Sequence, residues 1–132
     1  QNIPLTKRGS TESFWVITGT TSARKLSSDV ALAAKSSATV VILMGMSKLS
    51  EIVTLFKIEG KHKTPVGIIQ NGTTDNEKSV FGTVDSIVKK VKDQNLAAPA
   101  IIVIGEVVNE AMQEVKNQIA INKKTFPLQK VI

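Results

Sequence analysis

Glycine occurs at four points where an apolar segment of the sequence ends, and a ligand is most easily placed at these points. The residue pairs are Thr18-Gly19, Met44-Gly45, Asn71-Gly72 and Gly105-Glu106. A residue without a side chain lets a ligand approach the backbone closely, and the backbone N–H and C=O groups can then bind it. A tight turn explains each glycine equally well when it is taken alone, so both interpretations stand at this point.

The Met44-Gly45 pair is the most unusual because a flexible thioether ends the apolar run TVVILMG, residues 39–45. Methionine commonly fills irregular gaps in a hydrophobic core, and the local sequence alone favours that interpretation. The alternative is a strand end that serves as a backbone platform for a flat ligand.

Residue types needed for self-contained catalysis are scarce. There is no Cys, and the only His is His62 in the basic stretch EGKHKT, so neither a metal site nor a Ser-His-Asp triad is predicted. The sequence has no G-x-G-x-x-G fingerprint and no glycine-rich phosphate loop ending in Lys-Ser/Thr. Among the four glycine pairs, only Glu106 supplies a carboxylate, so a paired-carboxylate mechanism is not indicated either.

The composition limits the class of partner. The 132 residues include 17 Lys and Arg against 11 Asp and Glu, a net charge of +6 that favours anionic partners in general. Aromatic residues make up only 4% and Tyr is absent, which argues against a base-stacking surface and hence against nucleic-acid binding. No apolar run approaches the roughly 20 residues of a membrane span. The absence of Cys and of a signal-peptide pattern fits a cytoplasmic protein.

Strand and helix patterns alternate along the chain. Apolar, β-branched runs predict five strands within 13–20, 39–45, 65–72, 79–84 and 100–105. Apolar residues at helical spacing predict four helices within 26–37, 47–60, 85–96 and 106–121.

This alternation predicts an α/β fold, a single lobe with a mixed, largely parallel sheet of about five strands flanked by helices. The segment 79–84 follows its predecessor too closely for a helical crossover, so we expect it to pair antiparallel. Ligands of such sheets bind beyond the carboxyl ends of the strands. The four glycine pairs should therefore gather at one edge.

Five segments, taken in order, resemble successive segments of the tetrapyrrole methylase family. They are IPLTKRG (3–9), SFWVITGT (13–20), TVVILMG (39–45), TPVGIIQNGTT (64–74) and PAIIVIGEVV (99–108). One such motif is weakly specific, whereas five in the same order with plausible spacing are specific. The resemblance covers roughly residues 3–109 and is strongest to members that act on uroporphyrinogen III.

The resemblance implies a two-lobed enzyme that binds S-adenosylmethionine between its lobes, releases S-adenosylhomocysteine and uses no metal. This chain then corresponds to the C-terminal lobe, with an inter-lobe linker at 1–12, the lobe at 13–121 and a tail at 122–132. The family's glycine-rich segment, G-G-D segment and acid/base residues would precede residue 1. We therefore expect no catalytic residue here and no activity from this chain alone. The opening QNIPLTKRGS, without an initiator Met, predicts a fragment or a processed product.

The implied reaction transfers methyl groups to C2 and C7 of uroporphyrinogen III and gives precorrin-2 for sirohaem and cobalamin synthesis. The methyl sulfonium of the cofactor is itself the reactive group, so the protein mainly aligns the carbon nucleophile with it. The implied partners are the tetrapyrrole substrate, the missing N-terminal lobe and a second copy in a homodimer. Neither a nucleic acid nor a membrane is among them.

The resemblance also assigns residues to the cofactor pocket. Met44 matches the family's strand-end Met, whose backbone would hydrogen-bond the adenine edge, and Gly72 matches the Gly on the other side of the pocket. Adenine is flat and apolar on its faces, which suits main-chain reading of its edge. The implied cofactor contacts are Met44, Asn71, Gly72, Thr73, Pro99 and Ala100.

The implied substrate contacts are Arg8, Thr18 and Gly19. Arg8 lies in the linker and would face a substrate carboxylate, although a solvated surface position explains it equally well. Thr18-Gly19 stands where the family often has T-G-His, but Thr20 follows here. Glu77 replaces the family's usual Gln, and we interpret it as a structural residue of its loop.

Two alternative functions remain open on the sequence. One is a sister methylase of the same family that acts on another corrinoid precursor. The other is a non-enzymatic α/β binding or assembly domain that keeps the scaffold and uses an exposed apolar face to bind a protein partner.

Overall fold

A computed structural model describes residues 1–125, in which five strands form one sheet flanked by four helices. The strands are β1 Phe14–Thr18, β2 Thr39–Leu43, β3 Pro65–Gln70, β4 Lys78–Thr83 and β5 Ala100–Ile104. The helices are α1 Ser28–Lys35, α2 Leu49–Ile58, α3 Ile87–Asp93 and α4 Val108–Thr125, with a 3₁₀ turn at Met46–Lys48 before α2. Each of the nine predicted segments overlaps one of these elements.

The strand order across the sheet is β1-β2-β5-β3-β4. Only β1 and β2 pair in parallel, and the other three pairings are antiparallel. The predicted mixed sheet of five strands is confirmed, but the prediction that it is largely parallel is wrong. An apolar run reports burial on both faces of a strand, and a strand in antiparallel pairing is buried in the same way when both faces are covered.

The direction of β5 follows from the hairpin before it. The β3–β4 hairpin reverses the chain, and the crossover through α3 returns the next strand in the direction of β4. This strand inserts between β2 and β3 and is antiparallel to both. Ala100 at the start of β5 consequently pairs with Gln70 at the end of β3, whereas Ile104 pairs with Val66 near the start of β3.

One of the four glycine pairs therefore lies at the wrong edge for the predicted site. Gly105-Glu106 follows β5 at the edge where β2 and β3 begin, opposite Met44-Gly45 and Asn71-Gly72. The prediction that all four pairs share an edge is wrong because it assumed a parallel β5. The start of β5, with Pro99 before it, takes the place of Gly105 at the ligand edge.

The sheet has a large core on one face and a smaller one on the other. Helices α1, α2 and α3 cover the first face, where Phe56, Ile42 and Ile102 are almost completely buried. The second face packs on α4 and the N-terminal segment through Val41, Val103 and Val108. This second face is only partly covered by the described residues, and its exposed apolar side chains are Phe14, Val16, Leu43 and Ile101.

The predicted linker at residues 1–12 and the predicted tail at residues 122–132 differ in structure. Residues 1–12 contain one turn, in which Lys7 and Thr11 form an antiparallel bridge. Of the predicted tail at 122–132, residues 122–125 continue α4 and residues 126–132 lie outside the described part of the chain. Within residues 1–125, no helix is both long enough and apolar enough to cross a membrane.

Candidate functional site

Three strand ends and one strand start lie side by side at one edge of the sheet. The carboxyl ends are those of β1, β2 and β3, and the start is that of β5. Gly19 N–H donates to the Leu43 carbonyl at 2.7 Å, and Asn71 N–H donates to the Pro99 carbonyl at 3.1 Å. These bonds tie the segments beyond the strand ends to one another. The edge therefore unites the residues predicted to contact the cofactor.

The backbone at this edge is strained at three non-glycine residues. The φ angles are +53° at Met44, +50° at Asn71 and +68° at Thr73. Positive φ is uncommon for residues with a side chain and is a clear outlier for a β-branched residue such as Thr73. Strain of this kind clusters at binding and active sites, where the surrounding structure holds it in place. The cluster marks this edge as the candidate site.

A cavity of about 400 Å³ opens at the end of β2. Met44 lies on its wall with 68% of its surface exposed, so the core-filling interpretation of Met44 is wrong. Met46, two residues later, is the methionine that packs against the buried core. The residues that line this cavity are Thr20, Met44, Met46, Ser47, Ala98, Pro99 and Ala100.

A second cavity, of about 260 Å³, opens on the other face of the sheet. Gly72 and Thr73 line it, together with the apolar side chains of Ile69 and Ile101. A Cβ atom added at Gly72 would meet Ile69 Cγ2 at 3.3 Å. The predicted cofactor residues thus share one edge but open onto two hollows. A single ligand that touches all of them has to pass over the ends of β2 and β3 and over the start of β5, which lies between them.

Glu77 fixes the loop that carries Gly72 and Thr73. Its Oε2 accepts a hydrogen bond from Thr73 N–H at 2.8 Å, and its Oε1 accepts one from the Gln1 amide at 2.8 Å. These hydrogen bonds favour the charged carboxylate and hold the pKa of Glu77 below its usual range. The bond from Thr73 N–H has the larger effect, and the bond from the Gln1 amide has the next largest. These contacts agree with a structural role for Glu77, and that role is to hold a residue of the candidate site.

We expect Glu77→Gln to reduce the acid sensitivity of folding, since Gln keeps an acceptor for Thr73 N–H but carries no charge. The folded-state pKa lies below the unfolded value of about 4.3, so the unfolded chain binds more protons in acid. The carboxylate therefore stabilises the fold fully above that value, and this stabilisation is lost as the pH falls through the lowered pKa. Urea midpoints measured from pH 6 to pH 3 should fall more steeply for the unmodified protein than for the variant. Parallel pH profiles for the two proteins would contradict this role.

The predicted substrate residues are only partly brought to this edge. Thr18 ends β1 and is exposed beside the site, whereas Gly19 is buried and a Cβ there would meet Ile42 Cγ2 at 2.8 Å. Arg8 is exposed in the turn after Lys7, and Lys7 pairs with Glu110 near the start of α4 at 2.5 Å. Because α4 begins at the opposite edge, Arg8 is not brought together with Met44.

One contact at the site has no counterpart among the predicted residues. Thr20 Oγ1 donates to the Met44 carbonyl at 2.7 Å, and Thr20 lines the larger cavity. Sequence reasoning noted Thr20 only as a departure from the family pattern, because its partner lies 24 positions away along the chain.

Metal-ligating side chains do not gather at this edge. Within the described residues, no group of three or more His, Asp and Glu side chains is placed to hold a metal ion. His62 lies near the opposite edge, where its Nδ1 is 3.1 Å from Oδ1 of Asp85.

Comparison with known proteins identifies similar sequences. A family model described as tetrapyrrole (corrin/porphyrin) methylases matches residues 1–88. A uroporphyrinogen-III C-methyltransferase of Methanocaldococcus jannaschii is 41% identical over 109 residues, which cover 81% of this chain and 45% of that protein. One of Synechocystis sp. is 39% identical over 110 residues, which cover 81% of this chain and 42% of that protein. The chain therefore spans less than half the length of these relatives.

Comparison with solved structures identifies the same fold. A crystal structure of uroporphyrin-III C-methyl transferase from Thermus thermophilus, complexed with S-adenosyl homocysteine, superposes with a TM-score of 0.70 at 24% identity. The superposition covers 81% of this chain and 48% of that chain. The α/β lobe described above is thus an established protein fold.

Proposed function

This chain belongs to the tetrapyrrole methylase family, and on that premise we propose that it is the C-terminal lobe of an S-adenosylmethionine-dependent uroporphyrinogen-III C-methyltransferase. The complete enzyme would methylate C2 and C7 of uroporphyrinogen III to give precorrin-2, for sirohaem and cobalamin synthesis. This lobe would supply one wall of the cofactor pocket, and an N-terminal lobe would supply the other wall and the catalytic groups. A homodimer in the cytoplasm is part of the proposal.

One observation carries the proposal. Six residues that the family resemblance assigns to the cofactor lie at a single edge of the sheet, and three of them have positive φ angles. Hydrophobic packing does not explain the arrangement, since Met44 is largely exposed. Strained backbone that faces solvent at a strand end is typical of ligand-binding sites and supports this proposal.

The chemistry of the edge suits adenine. The N–H group of Met44 takes no part in the backbone hydrogen bonds among residues 1–125, and Met44 is largely exposed, so this donor is available to a ligand. The cavity beside Met44, at about 400 Å³, falls within the usual range of about 300–1,000 Å³ for small-molecule sites. S-adenosylmethionine supplies the methyl sulfonium when bound. The residues of this chain would bind and orient its adenosyl part.

The path of the N-terminal segment supports a second lobe over this edge. The Gln1 side chain donates to Glu77, and Glu77 holds Thr73 at the site. Gln1 also lines the 260 Å³ cavity with Gly72 and Thr73, so a lobe joined at Gln1 would lie beside that cavity. Since affinity depends on enclosing most of the ligand surface, this lobe alone should bind the cofactor weakly and transfer no methyl group.

The structure supports the proposed substrate contact of Thr18 better than that of Arg8. Thr18 is exposed beside the pocket, which is consistent with contact to a tetrapyrrole held there. Arg8 lies toward the opposite edge, and only a large substrate that extends along the second face of the sheet would reach it.

The proposal is tested by methyl transfer from labelled S-adenosylmethionine to uroporphyrinogen III. The complete two-lobed protein should transfer two methyl groups and form precorrin-2, whereas the 132-residue chain alone should form no product. Transfer to another corrinoid precursor but not to uroporphyrinogen III would contradict the substrate assignment and favour a sister methylase. Transfer by the chain alone would contradict the need for a second lobe.

A further inference from the structure

The Met44 peptide is held by a side chain from the neighbouring strand end. Thr20 lies two residues beyond β1, and its hydroxyl donates to the Met44 carbonyl at 2.7 Å. Strands β1 and β2 pair in parallel with Thr18 opposite Leu43, so this register brings Thr20 to Met44. Thr20 is half-buried and lines the same 400 Å³ cavity as Met44 and Pro99.

The segment that carries Thr20 is itself anchored without a ligand. Thr20 and Leu26 form an isolated antiparallel bridge, and Ser27 N–H donates to the Gly19 carbonyl at 2.8 Å. Gly19 N–H in turn donates to the Leu43 carbonyl at 2.7 Å. Backbone bonds on both sides therefore fix the position of the hydroxyl before any ligand arrives.

Met44, by contrast, has little else to hold it. Its φ of +53° is unfavourable for a residue with a side chain, its side chain is mostly exposed, and β2 ends one residue earlier. Within residues 1–125, the hydrogen bond from Thr20 is the one that the Met44 backbone makes.

We propose that Thr20 is a positioning residue for the cofactor, which acts by fixing the Met44 peptide in the conformation that reads the adenine edge. This inference rests on the proposed function, because it gives Thr20 a role only if Met44 meets the cofactor. A preformed backbone edge binds without the cost of ordering itself on contact, so losing the hydroxyl should weaken cofactor binding.

The test compares two substitutions in the complete two-lobed protein. Thr20→Val keeps the size of the side chain but removes the donor, and should raise the Kd of S-adenosylhomocysteine about fivefold to tenfold, as expected for one hydrogen bond. Thr20→Ser restores the donor and should bind within about twofold of the unmodified protein. Thr54→Val is the matched control, since Thr54 also donates to a backbone carbonyl, that of Ser50, but on the exposed side of α2.

Kinetics and NMR separate positioning from a general loss of structure. Thr20→Val should raise the KM for S-adenosylmethionine with little change in kcat, and should shift the Met44 amide resonance in the unliganded protein. Equal affinities for the Val variant and the unmodified protein would overturn the role of Thr20 and leave the proposed function intact. Equal losses in the Val and Ser variants would overturn it as well. If the unmodified complete protein does not bind S-adenosylhomocysteine, the proposed function fails and this inference fails with it.

Discussion

Replacement of Gly72 with Trp is expected to weaken S-adenosylhomocysteine binding to the complete protein by about 100-fold, or about 2.7 kcal/mol. A Cβ at Gly72 meets only Ile69 Cγ2 at 3.3 Å and Glu77 Oε2 at 3.9 Å, so the backbone can accept a side chain with a small adjustment. An indole at this position has to occupy the 260 Å³ cavity that Gly72 lines. Calorimetric titration measures the loss of affinity directly.

The matched control for this variant is Asp75→Trp. Asp75 is exposed in the same loop, so its substitution adds an indole of the same size without filling the cavity. The control should bind S-adenosylhomocysteine within about threefold of the unmodified protein, and thermal unfolding should show that both variants are folded. A Gly72→Trp variant that binds as tightly as the control would remove Gly72 from the cofactor site.

Replacement of Gly45 with Ala is expected to destabilise the fold by about 1–3 kcal/mol, the usual cost of overpacking a core. The added Cβ would lie 2.7 Å from Ile42 Cγ2, 3.0 Å from Ile102 Cδ1 and 3.1 Å from Ile52 Cδ1. These three side chains are almost completely buried, so none can move aside without displacing others. Urea unfolding followed by circular dichroism measures the change in the free energy of unfolding.

The control for the Gly45 variant adds one methyl group where there is room. Ser22→Thr does this at an exposed turn residue and should change the free energy of unfolding by less than about 0.5 kcal/mol. The Gly45 variant should also bind S-adenosylhomocysteine more weakly, because Gly45 adjoins Met44. Unchanged stability in Gly45→Ala would show that the strand end is not tightly packed against the core.

Periodicity was sufficient to predict the elements of this fold but not the direction of one strand. Each of the nine predicted segments overlaps an observed strand or helix, because burial leaves the same apolar pattern in every α/β layer. The apolar pattern carries no information on strand direction. The alternation of strands and helices therefore predicts that β5 runs parallel to its neighbours, which is wrong. Its actual direction depends on where the chain enters the sheet after the β3–β4 hairpin. Tertiary packing determines where the chain enters the sheet, and the amino-acid sequence of β5 alone does not predict it.

The site could be predicted only where the family resemblance supplied it. Local sequence favours a core role for Met44, whereas the residue is exposed, because the apolar run of β2 continues two residues past Ile42, its last buried position. Residues Asn71, Gly72, Pro99 and Ala100 were assigned by resemblance, and the reversal of β5 brings the last two to the same edge. A parallel register that places Thr18 beside Leu43 would have pointed to Thr20 as well.

The central claim is that S-adenosylhomocysteine binds across the strand ends that carry Met44 and Gly72. The most direct measurement is a titration of the ¹⁵N-labelled complete protein with this ligand, followed by amide chemical shifts. We expect saturable shifts that are largest at Met44, Gly45, Gly72 and Ala100, and small at Glu106 on the opposite edge. Saturable binding that leaves Met44 and Gly72 unshifted, or no binding at all, would contradict the claim.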